Sequence, residues 1–199
     1  MHRIRTCLRD MPKVLKARTI RSILTNGKVE MQLKTFLGMA WTASARRPHR
    51  RTFLMDKRFG PRLDLVAFEG DRPHFWLEAK CDFAADRDLA QRSALRALDQ
   101  INGYMRHPTL PHHLRQCPAY IVHFLCRPPD REEYPSWAGD RFDSLRAHDG
   151  DDQRLAPKEL QAFYEDNDHG GSIDATSHLA IDFDCGTLGA VVVKMTPVE

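Results

Sequence analysis

The sequence lacks long apolar segments and cysteine pairs, and both absences narrow the kinds of protein it can encode. No apolar run in the 199 residues approaches the roughly 18 to 20 residues that a membrane span needs. No apolar segment follows the basic first residues, so we expect no secretory signal, although their Arg-rich character leaves a transit peptide as an alternative. The five cysteines contain no CxxC pair, which argues against a disulfide framework. We therefore expect a cytoplasmic protein without a membrane partner.

The short motifs of several common enzyme classes are also missing. The sequence contains no GxSxG element and no Ser/His/Asp order of a serine hydrolase. Gly170-Gly171 lacks the pattern of a phosphate-binding loop, and we predict a turn there. Three histidines and Cys117 lie in the proline-rich segment 107–117, but no second ligand pair has zinc spacing. We therefore predict solvated histidines in that segment.

Acidic residues are scarce in the first third of the chain. Residues 1–62 contain 16 Lys and Arg but only three Asp and Glu, whereas residues 63–199 contain 14 and 24. A segment this basic suits a polyanion, and nucleic acid is the partner that we expect. The alternative is a solvated arm that balances the acidic rear half. We predict nucleic-acid contacts from the basic residues that flank the site described below, which are Arg46, Arg47, Arg50, Arg51 and Arg62.

Hydrophobic periodicity predicts an α/β fold with a central mixed β-sheet flanked by helices. The apolar fraction of 42% and the charged fraction of 29% are those of a globular protein. Periods near 3.6 indicate helices, whereas β-branched and aromatic runs indicate strands. The predicted order is a helix from Val29, strands at 52–55, 63–69 and 74–81, a helix from Asp86 to about Arg106, a buried strand at Ala119–Cys126 and a helix at Pro157–Asp166.

Composition divides the chain into an extension and one domain. Residues 1–22 form a basic amino-terminal extension, for which a helix with one apolar face is an option. Residues 23–199 form a single domain with a core at about 29–126. A polar stretch at about 127–153 is predicted to be a surface insertion, and a β-hairpin is predicted at about 178–196.

Charged residues interrupt two adjacent strand-like runs of the predicted core. Asp64 lies in the first run, and Glu78 and Lys80 lie in the second. Alternation along a strand puts Glu78 and Lys80 on one face, and a hairpin can bring Asp64 beside them. Converging buried carboxylates need a cation between them, and Mg²⁺ prefers oxygen ligands. Because a nearby lysine can orient water or stabilise phosphoryl charge, the pattern predicts a phosphodiester-cleaving metal site.

A simple ion pair is the alternative interpretation of the same residues. Glu78 would then pair with Lys80 or Arg62 on a solvated sheet face, with no metal and no chemistry. The position of the carboxylates within apolar runs favours the metal site, because a buried carboxylate needs a strong partner.

Asp64, followed after a hairpin by Glu78-Ala79-Lys80, resembles the signature of the PD-(D/E)xK nuclease superfamily. The predicted order of helix, three strands, helix and strand is similar to its restriction-endonuclease-like core, here with an appended C-terminal helix and β-hairpin. Glu30 lies where many members carry an acidic residue before the sheet, and Gln100 resembles a glutamine in the helix after the ExK strand. One departure is that no proline directly precedes Asp64; Pro61 lies three residues earlier.

The resemblance implies a Mg²⁺-dependent nuclease, with Mn²⁺ as an alternative cofactor. Asp64 and Glu78 would hold the metal together with the Ala79 carbonyl group. Glu30 would complete the metal site. Lys80 would assist the attacking water, with Gln100 as a further catalytic residue. Hydrolysis would leave 5′-phosphate and 3′-hydroxyl ends.

A protein that keeps this fold without catalytic turnover is the alternative function. Such a protein would bind nucleic acid or serve as an assembly component of a phage or mobile-element complex. The acidic region 127–168 would then be a docking surface for another protein. We expect DNA rather than RNA as the nucleic acid, and the sequence leaves a homodimer or a larger complex open.

Overall fold

The computed structural model describes residues 1–15, 29–45, 50–127, 154–168, 170–183 and 186–197. These residues form an α/β fold with a six-stranded mixed sheet flanked by helices, which confirms the predicted fold class. The helices are α1 (His2–Val14), α2 (Val29–Ala43), α3 (Arg87–Met105), α4 (His112–Arg115) and α5 (Pro157–Asp166). The strands are β1 (Arg51–Arg58), β2 (Arg62–Glu69), β3 (Arg72–Phe83), β4 (Ala119–Cys126), β5 (Ile173–Phe183) and β6 (Gly186–Met195).

The sheet has the strand order β1-β2-β3-β4-β6-β5. Strands β3 and β4 run parallel, and the other neighbouring pairs are antiparallel. A parallel pair needs a crossover connection, which here includes helix α3. All eight residues of β4 are buried, as expected for a central strand covered on both faces. The predicted site lies on β2 and β3. Strand β3 pairs with β4 in the middle of the sheet, and β2 lies between β3 and the edge strand β1.

Local sequence signals explain several boundaries of these elements. The β2–β3 hairpin turns at Gly70, which has a φ of 63°, a conformation that glycine adopts without a Cβ clash. Helix α3 begins after Asp86, whose Oδ1 accepts a hydrogen bond of 3.0 Å from the Leu89 backbone N–H. The hairpin of β5 and β6 begins at Ile173, five residues before its predicted start.

The helices cover both faces of the sheet and create two apolar cores. Helices α1 and α2 pack against one face, and α3, α4 and α5 pack against the other. Among the described residues, no helix is long and apolar enough to cross a membrane. The predicted insertion at about 127–153 lies outside the described residues apart from Arg127.

The amino-terminal segment differs from its predicted role as an extension. Helix α1 is part of the main core, where the side chains of Ile4, Leu8 and Met11 are completely buried. Their spacing of three and four residues forms one apolar stripe, and the sheet face beside α2 provides a surface that buries it. The rest of the predicted extension, at 16–22, lies outside the described residues.

Candidate active site

Strands β2 and β3 stop pairing at the predicted site. Their described ladder ends at the pair Leu65 and Leu77, one residue before Asp64 and Glu78. The Asp64 carboxylate replaces a strand partner here, because its Oδ2 accepts a hydrogen bond of 2.8 Å from the Ala79 backbone N–H. This bond fixes the Asp64 side chain at the centre of the Glu78-Ala79-Lys80 segment.

Glu78 and Lys80 form a close ion pair on β3. Lys80 Nζ donates to Glu78 Oε1 over 2.7 Å, and only 3% of Glu78 is exposed. Burial and, to a lesser extent, the neighbouring Asp64 carboxylate raise the pKa of the Glu78 carboxyl group to about 7, against the opposing effect of Lys80. The structure therefore brings Asp64, Glu78 and Lys80 into one electrostatically coupled group.

Helix α2 adds a lysine that sequence reasoning did not identify. Lys34 is 4% exposed, and its Nζ lies 3.0 Å from Asp64 Oδ1 and 3.2 Å from Asp56 Oδ1. A signal for it is present in the sequence, because Lys34 follows Glu30 by one helical turn and shares a helix face with the buried Leu37. A lysine on such a face needs buried carboxylates as partners.

Asp56 is the second residue that sequence reasoning missed. The ladder between β1 and β2 pairs Met55 with Leu65 and Lys57 with Leu63, which places Asp56 opposite Asp64. Asp56 has a φ of 50°, a left-handed conformation that is uncommon for residues with a side chain but tolerated by aspartate. This conformation accompanies the contact of its carboxylate with Lys34.

Glu30 lies on the site side of helix α2. Its Oε1 is 4.0 Å from Lys34 Nζ. Burial raises the pKa of Glu30, while Lys80 lowers it and Asp64 raises it. Glu30 is therefore close enough to the other charged groups to interact with them, and 40% of its side chain remains exposed.

Gln100 and Tyr104 project from one face of helix α3, one turn apart. Gln100 Nε2 donates to Tyr104 Oη over 3.5 Å. Burial raises the pKa of Tyr104, and the Glu78 carboxylate contributes to that increase. Tyr104 has the sequence spacing of the apolar face of this helix, which gives no sign of a role in the site. In the structure its hydroxyl group interacts with the charged groups of the site and with Gln100.

A buried polar network extends the charged face of β3 beyond Lys80. Asp82 Oδ2 lies 2.8 Å from Nε2 of His123, and Nδ1 of that ring lies 3.0 Å from Tyr164 Oη. His123 pairs with Lys80 in the parallel ladder between β3 and β4 and is completely buried. A ring that donates from Nε2 to Asp82 can accept a hydrogen bond at Nδ1 from the Tyr164 hydroxyl group, which satisfies all three buried groups.

The predicted nucleic-acid contacts have different positions in the structure. Arg50 is exposed, and Arg62 has 64% of its side chain exposed while its Nη2 lies 3.3 Å from Asp56 Oδ1. Arg51 instead packs its guanidinium group 4.0 Å above the Trp41 ring and donates to Ser44 Oγ over 3.0 Å. These contacts hold the Arg51 guanidinium group, and its role in nucleic-acid binding stays a prediction. Arg46 and Arg47 lie outside the described residues.

The donor atoms suit a hard divalent cation in type, but they are already engaged. Asp64 and Glu78 supply carboxylate oxygens of the kind that Mg²⁺ prefers. Both Asp64 oxygens accept hydrogen bonds, from Lys34 and from the Ala79 N–H. Within the described ranges, no group of three or more His, Cys, Asp or Glu side chains is arranged to hold a metal ion. A metal ion would therefore be held by the Asp64 and Glu78 carboxylates, and it would have to displace the Lys34 ammonium group from Asp64.

Comparison with known proteins adds no relative to this picture. No protein-family model, curated protein or solved structure matches the chain. The function is therefore inferred from the residues of the site and from their geometry.

Proposed function

We propose that the chain is a metal-dependent nuclease of the PD-(D/E)xK type that hydrolyses phosphodiester bonds, with DNA as its substrate. The observation that carries the proposal is the bond from the Ala79 N–H to Asp64, which joins the aspartate to the ExK segment. Glu78 and Lys80 flank that bond as a buried pair. The surrounding order of helix, three strands, helix and strand supports a restriction-endonuclease-like core.

The chain would use these residues in separate roles. Asp64, Glu78 and the Ala79 carbonyl group would hold the cation, and Glu30 would add negative charge at the rim. When bound, Mg²⁺ or Mn²⁺ supplies positive charge that stabilises phosphoryl oxygens and makes water more acidic. The Lys80 ammonium group would orient the attacking water and stabilise charge that develops on the phosphoryl group.

Helix α3 would support the same site from the sheet face opposite helix α2. The Gln100 amide and the Tyr104 hydroxyl group contact each other near Glu78. Both can donate hydrogen bonds to a phosphate oxygen or to a water molecule. A nucleic acid as substrate is supported by the basic first third of the chain, in which Arg50 and Arg62 are exposed.

A cleavage assay tests the proposal directly. The full chain is incubated with supercoiled plasmid, linear duplex, single-stranded DNA or RNA, in Mg²⁺, Mn²⁺ or EDTA. We expect cleavage of DNA in Mg²⁺ or Mn²⁺, no cleavage in EDTA, and 5′-phosphate ends that a ligase can join. Glu78→Gln is the matched inactive control, because it removes the charge and keeps the shape. Absence of cleavage of every nucleic acid by the wild-type protein would contradict the proposal.

The position of the lysines favours one second candidate, a nuclease-like protein without turnover. Lys34 and Lys80 already provide cations to Asp64 and Glu78, over 3.0 Å and 2.7 Å. A site neutralised in this way can be stable without metal and can serve binding or assembly alone. Calorimetric titration with Mn²⁺ separates the two functions, since only the nuclease requires metal binding.

A further inference from the structure

Lys34 is the most deeply buried lysine in contact with the proposed site. Its ammonium group lies between carboxylates from three elements, 3.0 Å from Asp64, 3.2 Å from Asp56 and 4.0 Å from Glu30. Only 5% of its side chain is exposed, whereas 27% of the Asp56 side chain is. Lys34 therefore occupies one of the oxygens that the proposed metal site needs.

Asp56 gives this ammonium group a second place to bind. It lies opposite Asp64 across the β1–β2 ladder, and its left-handed backbone conformation accompanies the contact of its carboxylate with Lys34. The same Oδ1 atom also lies 3.3 Å from Arg62 Nη2. A lysine has three rotatable donors on a flexible stem, so Lys34 can release Asp64 and remain paired with Asp56.

We propose that Lys34 is a resident cation that holds the Asp64 carboxylate when no divalent ion is bound and shifts onto Asp56 when one binds. The inference rests on the proposed function, because it assigns Asp64 as a metal ligand. An ammonium group and a metal ion at about 2.1 Å cannot share the same face of one carboxylate oxygen. Lys34 therefore weakens metal binding, and Asp56 strengthens it without touching the metal.

The first test removes the charge of Lys34 with a substitution of similar shape. In Lys34→Met, we expect calorimetry to show Mn²⁺ binding about tenfold tighter than in the wild type, within the range by which outer groups tune metal affinity. The shift of the thermal midpoint with added Mn²⁺ should increase in parallel. Lys13→Met is the control, because Lys13 is an exposed lysine that pairs with Asp10 in its own helix.

The second test removes the alternative partner of Lys34. In Asp56→Asn, we expect Mn²⁺ binding to weaken several-fold, because Lys34 then stays on Asp64. In the double variant with Lys34→Met, the effect of Asp56→Asn should disappear, since no ammonium group needs a new partner. If Lys34→Met does not fold, Lys34→Gln removes the same charge and takes its place in both tests.

The outcomes separate this inference from the proposed function. Wild-type binding of Mn²⁺ that is unchanged or weakened by Lys34→Met would overturn the role of Lys34 and leave the nuclease proposal intact. If Asp56→Asn also weakens Mn²⁺ binding in the double variant with Lys34→Met, Asp56 is itself a metal ligand. That result would also overturn the proposed role of Lys34. Binding of Mn²⁺ by neither the wild type nor Lys34→Met would overturn both proposals.

Discussion

The Glu78 carboxyl group is held under conditions that differ strongly from those in water. Burial and the neighbouring Asp64 carboxylate raise its pKa from the ordinary value of 4.5 to about 7. The folded protein therefore keeps a proton on this group up to neutral pH, whereas the unfolded chain releases it near 4.5. Because the folded state binds more protons in this interval, its stability should fall as the pH rises through it.

This linkage gives a prediction for a single substitution. We expect the free energy of unfolding of the wild type to decrease between pH 4.5 and pH 7, relative to Glu78→Gln, and to run parallel to it above pH 8. The variant keeps the shape of a protonated carboxyl group and cannot titrate. Urea denaturation of both proteins across this pH range, in EDTA, measures the difference. Parallel curves throughout would show that the pKa of Glu78 is not raised.

Helix α2 is the element that sets the distance between Lys34 and the sheet. Gly38 lies one turn after Lys34 and faces Phe53 on β1, and a Cβ atom at position 38 would lie 2.4 Å from the Phe53 ring. The absence of a side chain therefore lets α2 approach β1 closely. That approach brings the Lys34 ammonium group to Asp56 and Asp64.

Two glycine substitutions test the close approach of this helix. We expect Gly38→Ala to lower the free energy of unfolding by about 1–3 kcal/mol, because the added methyl group forces α2 and Phe53 apart. Gly103→Ala is the matched control, since Gly103 lies in α3 and a Cβ atom there would have no neighbouring atom within 4 Å. Alanine there should be neutral or stabilising by up to about 1 kcal/mol. Equal effects at both positions would contradict the packing described for α2.

Elements with a strong local pattern could be predicted from the sequence. The fully buried β4 and the capped helix α3 lie within one residue of their predicted bounds. Helix α1 could be predicted as an option but not as part of the core, because a stripe of apolar residues does not reveal which surface will cover it. The mixed sheet could be predicted, whereas its strand order depends on contacts between distant segments.

The candidate site divides in the same way. Asp64, Glu78 and Lys80 could be predicted to meet, because strand alternation and one hairpin determine their positions. Lys34, Asp56 and Tyr104 could not, since their pairing depends on how helices α2 and α3 approach the sheet. Asp56 lies in an ordinary strand pattern of the sequence, which does not reveal its left-handed backbone conformation.

At the scale of the whole molecule, charge is distributed unevenly along the chain. The 16 basic residues of the first 62 positions include two exposed arginines in different places. Arg62 lies beside the candidate site, with its Nη2 atom 3.3 Å from Asp56 Oδ1. Arg50 lies at the other end of β1, where its carbonyl group accepts a hydrogen bond from the Gly70 N–H in the β2–β3 turn. Phosphate contacts release counterions from a nucleic acid, so they make affinity depend on salt. Removal of an arginine that contacts phosphate therefore reduces the salt dependence of affinity, whereas removal of a solvated arginine leaves it unchanged.

Salt dependence tests this surface. Substitution of Arg46, Arg47 and Arg50 by glutamine should weaken DNA binding for all sequences alike. It should also flatten the slope of log affinity against log salt by up to about 0.9 for each phosphate that the variant no longer neutralises. Arg87→Gln is the control, because Arg87 already pairs with Glu159 over 3.0 Å. Fluorescence anisotropy over a salt series measures the slopes. An unchanged slope in the triple variant would show that these arginines do not contact phosphate groups.

The central claim is that Asp64 and Glu78 bind a divalent metal and that Lys80 serves the chemistry, and calorimetric Mn²⁺ titration beside a cleavage time course tests it most directly. Glu78→Ala should reduce both metal affinity and cleavage, because it removes a ligand. Lys80→Ala should bind metal at least as tightly as the wild type, since a protonated lysine is not a ligand, while cleavage falls by orders of magnitude. Wild-type protein that binds no metal, or metal affinity that is unchanged in Glu78→Ala, would contradict the account.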